Sequence, residues 1–307
     1  MGPTPPPVDG PRVSCPANQS ARTTGRNATV MFPPPTVSGG VAPVTVSCTP
    51  ASGSSFPLGS STSSCVATDA QQRTDRCSFT VTVEAVPLIG AMRYVAFGDS
   101  ITEGKLSNGD ITQTPYPVGL KRELEMRYTS QLFVVLGEGG GGETTAGGVS
   151  RLPGVLNADA PEVLLLLEGV NDLASAGSAG ISPMISNLRN MVQQAQGRGI
   201  RVFLGTLPPE IPNAQRAGAQ PFIVPANDQI RALAGSTGAT LVDVYQALIG
   251  SLTTFIGPDG LHPTEQGYQM IAKTFFDAIR QRLEVAPTTT FTGVTPPSAP
   301  AFSWRGE

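Results

Sequence analysis

The stretch Arg93-Tyr94-Val95-Ala96-Phe97-Gly98-Asp99-Ser100 passes from an apolar run of strand length into a small polar turn. Similar apolar runs follow along the chain, and their uniform character favours a parallel sheet that is covered on both faces. Amphipathic stretches at 184–196 and 270–283 carry apolar residues at helical spacing. The sequence therefore predicts a three-layer α/β domain. Its five expected strands are 94–97, 132–136, 163–167, 201–204 and 240–244.

The residues before this domain have a different composition and pattern. Short β-type runs alternate there with turns rich in Pro, Gly and Ser, and helical periodicity is absent, which is typical of a small β-sandwich. After Glu284 the chain turns to Thr, Pro and Ser without periodicity, which indicates an extended tail. We expect a sandwich at 1–87, a linker at 88–92, the α/β domain at 93–284 and the tail at 285–307.

All four cysteines, Cys15, Cys48, Cys65 and Cys77, lie in the first quarter of the chain. No C-x2-C pair occurs, so a zinc site is not expected. Clustering in a Ser/Thr/Pro-rich segment favours two disulfides and an oxidising compartment. A Cys48–Cys65 bond would join neighbouring strands, and a Cys15–Cys77 bond would tie the first strand to the last. The alternative is that the cysteines are free and buried.

Composition and charge argue against several classes of partner. The chain has 20 Lys and Arg against 23 Asp and Glu and no basic patch, so a nucleic-acid partner is not expected. The longest apolar run, Val163–Leu167, is far too short to span a membrane. The first residues lack an apolar segment, so a secreted form of this protein is expected to have lost its signal peptide.

Two of the predicted strands end in residues suited to acyl chemistry. Ligands of doubly wound sheets bind beyond the carboxyl ends of the strands. The first strand ends in Gly98-Asp99-Ser100, where a serine exposes its hydroxyl and offers its N–H to the same point, although serine needs a base to become nucleophilic. The third strand runs into Glu168-Gly169-Val170-Asn171-Asp172, in which the amide of Asn171 can stabilise a developing oxyanion. Alternatively, Asn171-Asp172 is a turn that caps the next helix.

The second strand runs into a series of glycines, Gly137-Glu138-Gly139-Gly140-Gly141-Gly142. This contains G-x-G-x-x-G, so a dinucleotide site is one interpretation. The following 144–148 is a poor helix start for binding a pyrophosphate, and only Glu168 remains as the ribose-binding acid. A merely flexible loop is a second interpretation. The favoured one is a backbone that approaches a reacting carbonyl, which glycine permits because it lacks a side chain.

His262 is the only histidine of the chain, so any histidine-dependent mechanism must use it. It lies in Pro258-Asp259-Gly260-Leu261-His262, just before a predicted long helix. Asp259, three residues earlier, can orient the ring nitrogen that His262 does not use on a serine and so stabilise the imidazolium. A lone histidine is more often structural, and that alternative stays open at this point.

Residues 93–284 resemble the SGNH (GDSL-type) hydrolases. The likeness rests on Gly98-Asp99-Ser100-Ile101-Thr102-Glu103-Gly104, Gly169-Val170-Asn171-Asp172 and Asp259-Gly260-Leu261-His262-Pro263. It implies a flavodoxin-like three-layer fold with a parallel five-stranded sheet. It also implies catalytic roles for Ser100 as nucleophile, His262 as base and Asp259 as acid, with Asn171 as an oxyanion amide. Neither a metal nor an organic cofactor is implied.

The glycine series is the departure from this family. The family usually has Asn at the position of Gly137, followed by a glycine before an acid and Thr. The resemblance therefore implies that the backbone N–H of Gly142, just before Glu143-Thr144, completes an oxyanion hole with Ser100 and Asn171. Gly139 is the alternative donor.

Residues 1–87 resemble the hyalin-repeat (HYR) modules, an immunoglobulin-like extracellular family. The matching stretches are Cys15-Pro16, Cys48-Thr49-Pro50-Ala51-Ser52-Gly53, Phe56-Pro57-Leu58-Gly59, Cys65-Val66-Ala67-Thr68-Asp69 and Cys77-Ser78-Phe79-Thr80-Val81-Thr82-Val83. This resemblance implies an extracellular protein whose first domain serves adhesion or spacing and binds carbohydrate or protein.

Together these features predict a secreted serine esterase that forms an acyl-enzyme and hydrolyses short acyl esters, acetyl above all, of small molecules or glycans. A carbohydrate acetylesterase, a lysophospholipase and a thioesterase of the same family are alternatives. From another class, the alternatives are a non-catalytic adhesion or carbohydrate-binding protein and, more remotely, a hydride-transfer enzyme that uses the glycines.

Overall fold

The computed structural model describes residues 9–285, which divide into two compact units, residues 9–86 and residues 87–285. Each unit has its own cluster of buried apolar side chains. Within residues 9–285, no helix has the length and the apolar character needed to cross a bilayer.

The first unit consists of strands. They form a four-stranded sheet in the order β2-β8-β7-β5, in which only β2 and β8 run parallel, and the pairs β1-β4 and β3-β6. The strands are β1 (Arg12–Ser14), β2 (Gln19–Thr23), β3 (Asn27–Val30), β4 (Thr36–Ser38), β5 (Thr45–Thr49), β6 (Ser54–Pro57), β7 (Gly59–Thr68) and β8 (Thr74–Ala85). This β-rich architecture agrees with the expected immunoglobulin-like sandwich.

Both expected disulfides are present in this unit. Cys48 and Cys65 face each other across the antiparallel β5–β7 pair, with their Cα atoms 4.0 Å apart. Cys15, just after β1, is joined to Cys77 in β8. The bonds surround a small core in which the rings of Phe32 and Phe79 meet edge to face. A core of this size gains much of its stability from such crosslinks.

The second unit alternates strands and helices. Its strands are β9 (Leu88–Ile89), β10 (Arg93–Gly98), β11 (Val134–Gly139), β12 (Val163–Leu167), β13 (Arg201–Gly205), β14 (Thr240–Val242) and β15 (Glu284–Val285). Its helices are α1 (Ser100–Glu103), α2 (Tyr116–Arg127), α3 (Thr145–Asp159), α4 (Val170–Ala176), α5 (Ile181–Gln196), α6 (Gln220–Thr237), α7 (Val244–Ile249), α8 (Leu252–Phe255) and α9 (Glu265–Leu283), with a 3₁₀ turn at Gly177–Gly180.

Five parallel strands form the central sheet in the order β11-β10-β12-β13-β14. When these five strands are numbered by their order along the chain, their order across the sheet is 2-1-3-4-5, which is the flavodoxin-like order. Helices α2, α7 and α9 pack together on one face, and α3, α5 and α6 pack together on the other. β12 is buried along its whole length because both faces of the sheet are covered, as the apolar runs predicted.

Two strands differ from the sequence prediction by two residues or more at an end. The second strand was expected at 132–136, but β11 begins at Val134 and continues to Gly139. Its register against β10 explains the extension, because Gly98 pairs with Gly139 and the ladder holds glycines that have low strand propensity. The fifth strand ends at Val242 rather than at residue 244, because Asp243 caps α7.

The start of α3 corrects a second expectation. Residues 144–148 were expected to be a poor helix start, yet α3 begins at Thr145. Asp172 accepts hydrogen bonds from both the N–H and the hydroxyl of Thr145, at 2.9 and 2.6 Å. A carboxylate at this position binds an otherwise unpaired N–H and matches the helix dipole. The partner lies 27 residues along the chain, so local sequence could not reveal it.

The expected linker at 88–92 contains secondary structure. Leu88–Ile89 forms β9, which pairs antiparallel with β15. A two-residue strand has too short a pattern to be recognised from sequence. The tail expected at 285–307 lies outside the described residues except for Val285, which belongs to β15.

Candidate functional site

The candidate site lies where the order of the strands reverses. β10 is the first strand of the sheet and lies between the second, β11, and the third, β12. Ligands of open α/β sheets bind at such a switch point, outside the carboxyl ends of the strands. Ser100 follows β10 and Asn171 follows β12, so the fold brings their segments to this one edge.

The two residues that precede Ser100, Gly98 and Asp99, determine its position. Gly98 has no room for a side chain, because an added Cβ would overlap the carbonyl oxygen of Leu167 and the hydroxyl of Thr102. Asp99 caps α1 by accepting a hydrogen bond of 2.9 Å from the Ile101 N–H. Ser100 is then the first residue of α1, where a backbone N–H has no acceptor within the helix.

The structure brings Ser100, His262 and Asp259 together. Ser100 Oγ lies 3.1 Å from His262 Nε2, and His262 Nδ1 lies 2.6 Å from Asp259 Oδ2. The imidazole is 99% buried. With Nδ1 donating to the carboxylate, Nε2 is free to accept the proton of the serine hydroxyl, which is the geometry of a nucleophile, base and acid in series.

The turn that carries Asp259 and His262 depends on two glycines. Gly260 has a φ of +86°, and an added Cβ there would overlap the side chain of Ala214. An added Cβ on Gly257 would overlap the hydroxyl of Ser107. That hydroxyl contacts Asp259, a relationship that no pattern in the sequence indicates.

Asn171 lies beside the glycine series. Its Nδ2 donates a hydrogen bond of 2.8 Å to the carbonyl of Glu143, the residue that follows Gly142. A primary amide has a second N–H on the same nitrogen, which this bond leaves available. Asn171 belongs to the first turn of α4, and the neighbouring Asp172 caps α3 rather than its own helix.

The glycines of this loop have different surroundings. Gly142 is exposed, has a φ of +77°, and its N–H donates to no described residue. Gly139 ends β11, and an added Cβ there would overlap the backbone of Glu103. Gly137 has space, because an added Cβ would make ordinary contacts of 3.6 and 3.8 Å with Pro117. Gly139 is therefore needed for close packing, whereas Gly142 leaves its N–H open.

One residue that contacts this loop, Arg151 in α3, was not predicted from the sequence. Its guanidinium donates to the carboxylate of Glu143 at 2.5–3.1 Å. The only hint in the sequence was a single base placed among Glu138, Glu143 and Glu168.

Buried carboxyl groups lie around these strand ends. Burial, reinforced by the charge of Asp99 and Glu143, raises the pKa of Glu168 to about 9, and neither Glu168 oxygen has a hydrogen-bond partner among the described residues. Burial also raises the pKa of Asp99 to about 7, where the Ile101 N–H partly offsets it. The pKa of Glu210 rises to about 7 for the same reason. Both Asp99 and Glu168 therefore retain protons far above the usual carboxyl range.

The surroundings of Asp172 and Glu168 disfavour the dinucleotide interpretation. The N-terminus of α3, where a pyrophosphate would bind, already holds the carboxylate of Asp172. Glu168, the candidate ribose ligand, is 99% buried.

Two concavities of this unit do not have Ser100 in their lining. A depression of about 320 Å³ is lined by Leu106–Asn108, by Gly257 and Pro258, and by Pro263–Glu265. A cavity of about 260 Å³ lies among residues 199–203, 238–240 and 282–283, where β13 begins. Neither includes Ser100, Asn171 or His262, so neither locates an acyl pocket.

Each of the two units matches the model of a known protein family. The model of the GDSL-like lipase/acylhydrolase family matches residues 96–270, which is more than half of the 307 residues. The model of the HYR domain matches residues 7–83.

Individual relatives agree with this assignment. Esterase TesA of Pseudomonas aeruginosa is 30% identical over 127 residues, which cover 40% of this chain and 57% of that esterase. A lipase/acylhydrolase from Enterococcus faecalis has a similar structure, with a TM-score of 0.56 and 24% identity over 64% of this chain and 98% of its own. The acetylxylan esterase Axe2 from Geobacillus stearothermophilus gives a TM-score of 0.52 and 22% identity over 62% and 95%. At these identities the two structures establish the fold.

Proposed function

Because the chain belongs to the GDSL-like lipase/acylhydrolase family, we propose that it is a serine esterase that hydrolyses short acyl esters, acetyl above all. The observation that carries this proposal is the buried series Ser100–His262–Asp259, with contacts of 3.1 and 2.6 Å. A serine hydroxyl needs an adjacent base to act as a nucleophile, and this base is itself held by a carboxylate.

In the proposed first half-reaction, His262 Nε2 takes the proton of Ser100 Oγ as that oxygen attacks the ester carbonyl. The ester C–O bond then breaks, and His262 returns the proton to the leaving alcohol. In the second half-reaction, His262 activates water, which attacks the acyl-enzyme and releases the acid and the free serine. Asp259 stabilises the imidazolium that forms in each half.

The proposed oxyanion hole consists of the N–H groups of Ser100 and Gly142 and the side-chain amide of Asn171. Two features support this assignment. The Gly142 N–H has no acceptor among the described residues, and the Asn171 amide is joined to the carbonyl of the next residue, Glu143. Removing one such donor from a serine hydrolase lowers kcat by about 10²–10³-fold.

The test is hydrolysis of p-nitrophenyl acetate by the wild type, Ser100→Ala and His262→Ala, with Ser236→Ala on the exposed side of α6 as the matched serine control. We expect the first two changes to abolish turnover while the control keeps it. A fluorophosphonate probe should label the wild type and Ser236→Ala but not Ser100→Ala. Turnover by Ser100→Ala at the wild-type rate contradicts the proposal.

The acyl and alcohol groups are assigned by a substrate panel. The scarcity of aromatic residues, 6% of the chain, supports short acyl groups, and acetylated xylan enters the panel because an acetylxylan esterase shares the fold. We expect kcat/KM to fall from p-nitrophenyl acetate to the octanoate. A preference for octanoate, lysophospholipid or acyl thioester would contradict the acetyl assignment but not the mechanism.

An extracellular location is proposed from the first unit. Two disulfides persist in oxidising compartments, and the HYR match is compatible with such a location. Thiol labelling of the protein isolated from its natural source, without reductant, should find no free cysteine. Four labelled thiols would contradict this location.

A further inference from the structure

Four consecutive glycines, Gly139 to Gly142, lead to the proposed oxyanion donor. Glycine has the widest conformational freedom of all residues, so this loop has little intrinsic preference for one arrangement. An oxyanion donor is useful only if it is held within about 0.5 Å of its productive position. Contacts from outside the glycines must therefore hold the loop.

Arg151 makes such a contact with the end of the loop. Its Nε donates to both oxygens of the Glu143 carboxylate, at 3.0 and 3.1 Å, and its Nη2 donates to Glu143 Oε2 at 2.5 Å. The side chains of Arg151 and Glu143 are 30% and 15% exposed, so water screens this pair only in part. A planar guanidinium that grips both carboxylate oxygens fixes direction as well as distance.

Arg151 is itself anchored to the ends of two strands. The same Nη2 donates to the carbonyls of Gly98, at 3.2 Å, and Glu138, at 3.1 Å, and the guanidinium lies 4.0 Å from the centre of the Phe97 ring. Gly98 precedes Ser100 by two residues. Arg151 therefore connects the loop to the end of β10, the same strand end that carries the nucleophile.

Glu143 also holds the loop through its backbone. Its carbonyl accepts the Asn171 amide at 2.8 Å, and its N–H closes a turn on the carbonyl of Gly140 at 3.0 Å. Gly140 in turn donates to the Gly98 carbonyl at 2.8 Å. The residue that Arg151 grips is thus bonded to one proposed oxyanion donor, Asn171, and adjoins the other, Gly142.

We propose that Arg151 is a positioning residue that fixes the oxyanion hole by clamping Glu143. This inference rests on the proposed function. The clamp sets the directions of the Gly142 N–H and the Asn171 amide relative to Ser100. Negative charge develops on the carbonyl oxygen only in the transition state, so loss of the clamp lowers kcat and leaves KM nearly unchanged.

The experiment measures kcat and KM for p-nitrophenyl acetate in Arg151→Ala, Arg151→Lys and Glu143→Gln. The matched control is Arg127→Lys, because the Arg127 guanidinium also grips both oxygens of one carboxylate, that of Glu284 in β15, each at 2.7 Å. We expect kcat to fall about 30-fold in Arg151→Ala, part of the 10²–10³-fold loss seen when a donor is removed outright. The control should keep the wild-type kcat. Circular dichroism at the assay temperature identifies the folded variants.

Two further readouts separate positioning from general stability. A boronic acid forms a tetrahedral adduct with an activated serine, so its inhibition constant should rise by the same factor as kcat falls. Added guanidinium ion should restore part of the activity of Arg151→Ala. The kcat of the double variant Arg151→Ala/Glu143→Gln should be no lower than that of the less active single variant, because both changes remove the same interaction, the one between Arg151 and Glu143.

The outcomes distinguish the clamp from the function beneath it. Ser100-dependent turnover that keeps its wild-type kcat in a folded Arg151→Ala or Glu143→Gln overturns the clamp alone. A rise in KM with kcat unchanged overturns it as well. Turnover that survives Ser100→Ala overturns the proposed esterase mechanism and the clamp with it.

Discussion

The hydroxyl of Ser107 donates a hydrogen bond of 2.9 Å to Asp259 Oδ1, the carboxylate oxygen opposite the one that faces His262. The backbone N–H groups of Leu261 and His262 donate to the same Oδ1, each at 3.1 Å. Burial by itself raises the pKa of Asp259, but hydrogen bonds from His262, Leu261 and Ser107 outweigh it and hold the pKa below its ordinary value. The carboxylate is therefore ionised and fixed in direction.

Changes at Asp259 and Ser107 should lower kcat to different extents. Asp259→Asn should lower kcat by about 10⁴-fold, as the equivalent change does in a serine protease, because the amide favours the wrong imidazole tautomer. Ser107→Ala removes one of three donors to Oδ1 and should lower kcat by about three- to tenfold. Both are measured with p-nitrophenyl acetate beside Ser236→Ala. Equal losses in Asp259→Asn and Ser107→Ala would contradict the graded roles.

The two candidate glycines should respond differently to alanine. The methyl group added in Gly142→Ala contacts no neighbouring atom. The φ of +77° at this position strains any L-residue by about 1–2 kcal/mol, so the backbone should shift and turn the N–H away from the oxyanion. We expect a folded protein whose kcat is at least about tenfold lower. In Gly139→Ala the new methyl overlaps the Glu103 backbone, so the melting temperature should fall.

Thermal unfolding and kcat of both variants check this difference. A Gly142→Ala protein with full activity, beside a stable Gly139→Ala protein without activity, would assign the donor to Gly139 instead.

Glu168 should make stability depend on pH. Its pKa is raised from 4.5 to about 9 on folding, so in this range the folded protein retains a proton that the unfolded chain has lost. Stability from this group is therefore full below pH 4.5 and declines as pH rises toward 9. Glu168→Gln cannot lose the proton, so the melting temperature of this variant relative to the wild type should rise from pH 5 to pH 9.

The control for this experiment is Glu125→Gln on the exposed side of α2, which should follow the wild type at every pH. A constant difference between Glu168→Gln and the wild type would show that the buried carboxyl does not titrate in this range.

Loss of the disulfides should destabilise the first unit without affecting catalysis. In the chain-entropy model, the Cys15–Cys77 bond, which spans 62 residues, contributes about 4 kcal/mol, and Cys48–Cys65, which spans 17, about 3 kcal/mol. Paired Cys→Ser variants, unfolded in urea and followed by circular dichroism, should lose stability in that order. Turnover of p-nitrophenyl acetate in the same variants should stay at the wild-type rate, and a loss of turnover would contradict the independence of the units.

The fold class followed from local patterns. The apolar run of β12 and the polar residues after β10 and β12 are continuous in sequence, so they indicated a covered parallel sheet and the edge at which its chemistry lies. The placement of the segments after β10 and β12, which carry Ser100 and Asn171, at one edge follows from parallel pairing, which carries the same end of every strand to the same side. The Asp259–His262 turn reaches this edge only after α7 and α8, so strand order alone does not predict its position.

Long-range contacts accounted for the differences. β11 extends through glycines because its partner β10 continues to Gly98, and α3 begins at Thr145 because Asp172 binds it from the next strand end. Arg151 gave little sign of its contacts with Glu143 and Gly98, because helical periodicity does not show what a polar side chain will meet. Pairings of this kind depend on the assembled sheet rather than on the neighbouring residues.

The short pairing of Leu88 with Val285 has a practical consequence for engineering. It places the first and last strands of the α/β unit side by side, so the entry and exit of this segment are neighbours in space. Domains with adjacent ends tolerate circular permutation and insertion into a host loop. The segment 87–285 should therefore tolerate insertion into a host loop through two short connections, or new ends at an exposed site such as Gly199, between α5 and β13, when the old ends are joined directly.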